Sequence, residues 1–174
     1  MNLINIEIKA KCNNHEGIRE VLKSRNARFE GKDHQLDTYF RVNEGRLKLR
    51  EGNIENNLIY YKRENISGPK QSDCQLFPTA PESQIKNILN DSLGVLAVVD
   101  KQREIYYLDN IKIHIDVVRD LGNFVEIEAS DEWGNVTRDQ LHEQCTELML
   151  AMHIDEEDLE SRSYSDLILD NANI

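Results

Sequence analysis

The chain has 174 residues, of which 39% are hydrophobic and 30% charged, and its formal net charge is −11. That is enough chain for one domain with a real core, and the composition is globular rather than disordered or membrane-spanning. The acidic balance argues against a nucleic-acid partner, and no run approaches the roughly 20 apolar residues that a membrane-spanning helix needs.

The segment Met1 to Cys12 alternates charged and apolar residues and has no apolar signal-peptide core, so a cytoplasmic location is expected. Cys12, Cys74 and Cys145 are odd in number and widely spaced, without a CxxC pair, which points to neither a zinc site nor a disulfide framework. The acidic excess lies largely between Asp139 and Asp170, while many lysines and arginines sit in strand-like segments. A basic interior under an acidic exterior would produce that pattern.

In chain order, Ile4, Ile6, Ile8 and Ala10 alternate with Asn5, Glu7, Lys9 and Lys11, a strand with two chemically distinct faces. A helix is predicted over 14–25, with Ile18, Val21 and Leu22 on one side. Two strands are predicted near 26–31 and 35–42. Arg46, Lys48 and Arg50 then share one face of another strand. The stretch 57–64 carries Lys62 inward and Arg63 on the opposite face, 67–72 reads as a loop around Gly68 and Pro69, and weak strand content resumes over 74–77. A second helix fits 82–93, stopped by Gly94.

Strands follow at 95–108, bearing Lys101 and Arg103, and at 111–118, where Lys112, His114 and Asp116 share a face. A turn at 120–123 joins the latter to a strand over 124–130 with Glu126 and Glu128, forming a hairpin. Thr137 caps a third helix, with Gln140 completing a capping box and Leu141, Cys145, Leu148, Met149 and Met152 forming the buried stripe. Short helical pieces are expected over 155–168, and residues 171–174 read as a frayed tail. The sum is an α+β fold in a single domain, 1–170: about eight antiparallel strands in a meander or barrel, with helices packed outside.

A polar strand face ordinarily meets water. If these faces instead converge inside a barrel, their cations need a polyanion among them, and the carboxylates offer hard oxygen ligands for Mg²⁺ or Mn²⁺. Lysine supplies point charges and arginine bidentate forks for phosphate oxygens. No GxxxxGK[ST] or GxSxG motif is present, and the five histidines form no HExxH pair.

The ordered series Asn5-Ile6-Glu7-Ile8-Lys9, Asp37-Thr38-Tyr39-Phe40, Leu47-Lys48-Leu49-Arg50, Tyr61-Lys62-Arg63, Lys101-Gln102-Arg103, Ile115-Asp116, Leu121 to Glu128 and Arg162 to Leu167 resembles the CYTH superfamily, which groups class IV adenylyl cyclases with thiamine triphosphatases. The resemblance covers nearly the whole chain. It implies an antiparallel eight-stranded β-barrel, a triphosphate tunnel, with Glu7, Asp116, Glu126 and Glu128 on the side of Mg²⁺ or Mn²⁺. It also implies Lys9, Lys11, Lys48, Arg50, Lys62, Lys101 and Arg103, with Arg162, on the side of the phosphates, and Glu7, Lys9, Asp116 and Glu126 as the catalytic set.

The opening family motif ExExK departs here at its first position, where Asn5 stands, removing one negative charge from the metal side. The expected ligand is a small-molecule triphosphate (ATP, thiamine triphosphate or tripolyphosphate), with no nucleic-acid or membrane partner, in a monomer or homodimer. An adenylyl cyclase-like reaction is expected first. Hydrolysis of thiamine triphosphate or inorganic triphosphate is the alternative, and binding without turnover the third possibility. Removing one cation from such a cluster should relieve repulsion, so Arg50→Ala and Arg103→Ala are expected to lose ligand without losing stability.

Overall fold

The two-residue alternation builds eight strands and the 3.6-residue spacings four helices. In the computed structural model, which describes residues 3–131 and 136–173, the chain runs β1 (Leu3–Lys11), α1 (His15–Ser24), β2 (Arg28–Phe40), β3 (Arg46–Glu51), β4 (Asn57–Arg63), β5 (Lys70–Pro78), α2 (Ile85–Leu93) and β6 (Val95–Leu108). It continues through β7 (Ile111–Val118), β8 (Gly122–Ser130), α3 (Arg138–Ala151), a short 3-10 segment (Glu156–Asp158) and α4 (Tyr164–Ala172). The strands close into one antiparallel barrel in the order β1-β5-β4-β3-β2-β6-β7-β8.

Hydrophobic residues of β1, β7 and β8 face outward. Ile6, Ile8 and Ala10, with Ile113, Ile115, Val125 and Ile127, form a buried layer with Ile18 and Leu22 of α1 and Leu141, Cys145 and Leu148 of α3. The main apolar core is therefore a shell between barrel wall and helices. Each large aliphatic side chain buried there contributes about 1.5–3 kcal/mol. A second cluster joins Tyr39, Ile59, Tyr61, Val99, Val118 and Phe124 to Tyr164 and Leu167 of α4. Phe124 and Tyr164 meet edge to face at 5.0 Å, so α4 covers one end of the barrel. Ile4, which the pattern puts on the outer face of β1, lies outside the described side chains.

Four local expectations are corrected. The two strands near 26–31 and 35–42 are one strand of 13 residues. Its register shifts between Phe29 and Gly31, and Gly31 takes φ +149°, so a bulge stands inside the continuous strand. β5 begins at Lys70, inside the expected loop, because Lys70 pairs with Glu7 and Ser72 with Arg63. The second helix starts at Ile85, since Glu82 stands in the left-handed region at φ 56°. The C-terminal helix continues through Ala172 instead of fraying from 171, held at its start by Ser163 and Asp166 in a reciprocal cap.

The cap of α3 is as the sequence has it: the Gln140 N–H donates to Thr137 Oγ1 at 3.3 Å, and the Thr137 N–H donates to Gln140 Oε1 at 2.9 Å. Thr137→Ala is expected to lower the unfolding free energy by about 1 kcal/mol. A urea titration checks this, and an unchanged midpoint would show that the cap is energetically idle.

Candidate functional site

With the apolar faces turned outward, the alternate residues must fill the barrel. A cavity of about 140 Å³ lies within it, lined by the cations Lys9, Lys48, Arg50, Arg63, Lys101, Arg103 and Lys112 and by the carboxylates Glu7, Glu55, Glu126 and Glu128. Such a density of charge under low exposure is stable only if each ion is paired, and two carboxylates hidden in the wall supply much of that pairing.

Asp37 of β2, 1% exposed, accepts from Arg50 Nε and Nη2 at 2.9 Å each, from Lys48 Nζ at 3.0 Å and from Lys101 Nζ at 2.7 Å. Burial would raise its pKa, but Arg50, Lys101 and Lys48 outweigh it and hold the carboxyl well below the usual range. Asp116 of β7, fully buried, takes a bidentate grip from Arg103 at 2.7 and 2.6 Å and the Tyr164 hydroxyl at 2.8 Å. Here too burial opposes ionisation and Arg103 prevails, keeping the pKa low.

Three sides of the cavity differ in character. Glu126 faces Lys9 at 3.9 Å, Arg103 at 3.3 Å and His114 at 3.7 Å. Burial raises its pKa, but Arg103 and Lys9 bring it well below the ordinary value. Glu128 is the opposite case: burial, then Glu7 and Glu126, push it up. It sits directly across from Glu7 in the β1–β8 register and accepts from Asn5 Nδ2 at 2.7 Å. His114 is buried, and among the described residues neither ring nitrogen is hydrogen-bonded; burial followed by Arg103 drives its pKa down to about 4. Burial likewise pushes Lys9 and Lys101 down to about 7 each, against the opposing pull of Glu126 and Asp37 respectively.

Of the residues expected on the phosphate side, Lys9, Lys48, Arg50, Lys101 and Arg103 line the cavity together. Three do not. Lys62 is exposed and pairs with Glu44 at 2.7 Å. β4 turns Asn57, Ile59, Tyr61 and Arg63 inward, so the parity assumed from the lysine is off by one, and Arg63 takes the interior place against Glu7. Lys11 is exposed at the end of β1. Arg162 directs its guanidinium outward to Glu160 and Asp170, and only its carbonyl reaches inward, accepting from Lys9 Nζ at 3.2 Å.

Of the residues expected on the metal side, Asp116 has both oxygens committed to Arg103 and Tyr164 and acts as the positioning carboxylate for that arginine. Among the described residues no three His, Cys, Asp or Glu side chains gather closely enough to hold a metal as they stand. The donor chemistry nevertheless suits a hard divalent cation. Glu7, Glu126 and Glu128 supply oxygens, burial and the neighbouring Glu7 disfavour the Glu128 charge that a cation would stabilise, and among the described residues Asn5 Oδ1 is buried without a partner.

The barrel interior also holds residues that the pattern did not select. Asp37 stands in the Asp37-Thr38-Tyr39-Phe40 stretch but was not read as an ion-pair centre. Tyr164 enters from α4, and Glu55 comes from a loop. Lys112 shares the face of His114 and Asp116, a signal that was available.

A closed antiparallel barrel with cations and carboxylates turned inward and helices outside is the architecture of a tunnel protein for anionic ligands. The CYTH domain profile matches residues 3–164, and the chain belongs to the CYTH family. A Methanocaldococcus jannaschii protein, provisionally named adenylate cyclase MJ0240, is 28% identical over 95% of this chain and 98% of its own. The solved PH1012 protein of Pyrococcus horikoshii OT3 shares 25% identity with a TM-score of 0.75, covering 94% of this chain and 98% of that one. A solved Vibrio parahaemolyticus protein, provisionally an adenylate cyclase, superposes with a TM-score of 0.76 at 20% identity over 95% and 98% of the two chains. That likeness speaks to fold alone. Among the described residues, no helix is long and apolar enough to cross a membrane.

Proposed function

We propose that the chain binds the triphosphate of a small molecule together with Mg²⁺ or Mn²⁺ inside the barrel and turns it over, with ATP to cyclic AMP and pyrophosphate as the leading reaction. The observation that carries this reading is the gathering of seven cations around one cavity in a chain whose net charge is −11. The relatedness to the Methanocaldococcus protein along nearly the whole of both chains supports the cyclase form.

In that form the ribose 3′ hydroxyl gives up its proton to solvent and its oxygen bonds to the α-phosphorus, while the bond from the α-phosphorus to the bridging oxygen breaks and pyrophosphate departs. Arg50 and Arg103, held rigid by Asp37 and Asp116, present guanidinium forks to phosphate oxygens without reorganising. Lys9, Lys48 and Lys101 add point charges where negative charge builds. Glu7, Glu126 and Glu128, with Asn5 Oδ1, are the groups that would hold the metal, which supplies Lewis-acid neutralisation of the phosphates when bound. Arg63, not Lys62, completes the cationic wall beside Glu7.

Cavity size favours a second reading. About 140 Å³ is below the roughly 300–1,000 Å³ of sites that enclose drug-sized ligands, so a bare or terminal triphosphate fits this shape better than a whole nucleotide. Hydrolysis of the terminal phosphate of thiamine triphosphate or tripolyphosphate is the reaction that follows.

The test is turnover of ATP, thiamine triphosphate and tripolyphosphate with and without Mn²⁺, products being separated by chromatography. Cyclic AMP with pyrophosphate is expected from ATP, and Glu126→Gln should reduce the rate by on the order of a hundredfold. Orthophosphate release without cyclic AMP would replace the cyclase reading by the hydrolase one. Binding with no product from any of the three would make the chain a sensor, and no binding would sink the proposal.

A further inference from the structure

Of the four carboxylates lining the cavity, Glu55 alone comes from a loop. The 52–56 loop joins β3 to β4 at the barrel end opposite α4, the end where Leu108 and Ile111 also pair. This loop is tightly built. Buried Asp33 accepts the backbone N–H groups of Asn53, Ile54 and Glu55 at 2.6, 2.9 and 3.0 Å. The Asn56 side chain bonds Gly52 at both its N–H and its carbonyl. A Cβ at Gly52 would stand 2.7 Å from the Asp33 oxygens and 2.8 Å from the Glu55 carbonyl, so only glycine fits.

The loop thereby delivers the Glu55 carboxylate onto three donors: Arg50 Nη1 at 3.1 Å, Gln35 Nε2 at 3.1 Å and Lys112 Nζ. An anionic oxygen pair gripped by a guanidinium, an ammonium and an amide occupies the kind of place that a phosphoryl group would take. The strand carboxylates sit within the walls, whereas this one reaches in from the rim.

We infer that Glu55 stands as a built-in anion at the last position of the phosphate row and so limits how long a polyphosphate chain the barrel accepts. The inference rests on the proposed triphosphate reading. A chain of three phosphates can lie along Lys9, Lys48, Lys101 and Arg103, end at Arg50 and stop short of Glu55. A longer chain must run its charge into the carboxylate or displace it from Arg50 and Lys112, and discrimination by such a repulsive element is selective against the longer ligand.

The experiment is calorimetric binding of inorganic tripolyphosphate, tetrapolyphosphate and long-chain polyphosphate to wild type, Glu55→Gln and Glu55→Ala, with thermal melts to confirm folding. Wild type is expected to bind tripolyphosphate about tenfold or more tighter, per site, than the long chain. In Glu55→Gln, which keeps the side-chain shape, the gain for the long chain should exceed any gain for tripolyphosphate by about tenfold. Wild type that binds long chains as tightly as tripolyphosphate overturns the inference with no variant needed. Folded variants that keep the wild-type length preference overturn it as well. Wild type that binds no polyphosphate at all removes the proposed function itself, and the inference falls with it.

Discussion

Arg103→Ala is expected to lower the unfolding free energy of the ligand-free protein by about 3–5 kcal/mol, the range for removing one partner of a buried ion pair. Counting like charges alone gives the opposite sign, because one cation fewer relieves repulsion. The geometry decides between the two. Arg103 is 3% exposed and grips Asp116, 0% exposed, through two bonds at 2.7 and 2.6 Å. Without the guanidinium, Asp116 keeps, among the described residues, only the Tyr164 hydroxyl as a partner and is left as an uncompensated buried charge.

Binding of tripolyphosphate should weaken in the same variant by roughly tenfold to a hundredfold, the worth of one charge-assisted contact. The double variant Arg103→Ala/Asp116→Asn separates the two effects. Stability should largely return, since the stranded charge is gone, while binding should not. Urea titrations and calorimetry on the three proteins provide the check. An Arg103→Ala protein as stable as wild type would refute the ion-pair account.

The second large effect is on pH dependence. Burial pushes Lys9 and Lys101 down to about 7 and Lys70 down to about 8, from an ordinary value of 10.5. Between about 7 and 10.5 the unfolded chain thus holds protons that the folded chain has released, and stability rises with pH across that window. The slope contributed by each lysine approaches about 1.4 kcal/mol per pH unit where its folded form is neutral and its unfolded form charged. Buried tyrosines close the window: burial raises Tyr39 to about 12 and carries Tyr61 and Tyr164 well above 10.0. Above pH 10 the unfolded chain ionises its tyrosines first, and stability turns down.

A triphosphate reverses the preference of the lysines, because it binds their protonated forms. Binding should take up protons at pH 8 and weaken as pH rises through 7 to 9. Urea titrations from pH 6.5 to 10 and calorimetry in buffers of unlike ionisation heat test both halves. Stability that falls across that window would show that these lysines stay charged in the folded protein.

Strand alternation made most of this arrangement readable, because β1, β7 and β8 divide apolar residues outside from mainly charged residues inside. It failed where the interior itself is apolar or aromatic. In β4, Ile59 and Tyr61 point inward, so the rule that polar means inside selects Lys62 and discards Arg63, though Tyr61 packs with Tyr39 and α4 in one cluster. Glu55 was beyond reach for a different reason. Its place is set by Asp33 collecting three backbone N–H groups some twenty residues downstream, and no periodicity encodes that. Asp116 is legible as an inward carboxylate of the 111–118 strand. Only the paired bonds from Arg103 reveal that its oxygens are already taken.

The position of β1 in the barrel has a consequence for the order in which the site can be made. This first strand is the closing stave, hydrogen-bonded on one side to β5 through pairs such as Glu7 with Lys70 and on the other to β8 through Lys9 with Glu126. A growing polypeptide that stops before Gly122 gives β1 one neighbour instead of two, and the facing pairs Glu7–Glu128 and Lys9–Glu126 do not exist in it. Bringing together segments more than a hundred residues apart in sequence means paying the loop-closure entropy before those contacts form. The part of the charged interior that β1 and β8 share therefore comes into being only at closure, whereas the Asp37 and Asp116 ion pairs lie within β2, β3, β6 and β7. A chain that stops before Gly122 thus lacks the wall on which Glu7 and Lys9 meet Glu128 and Glu126.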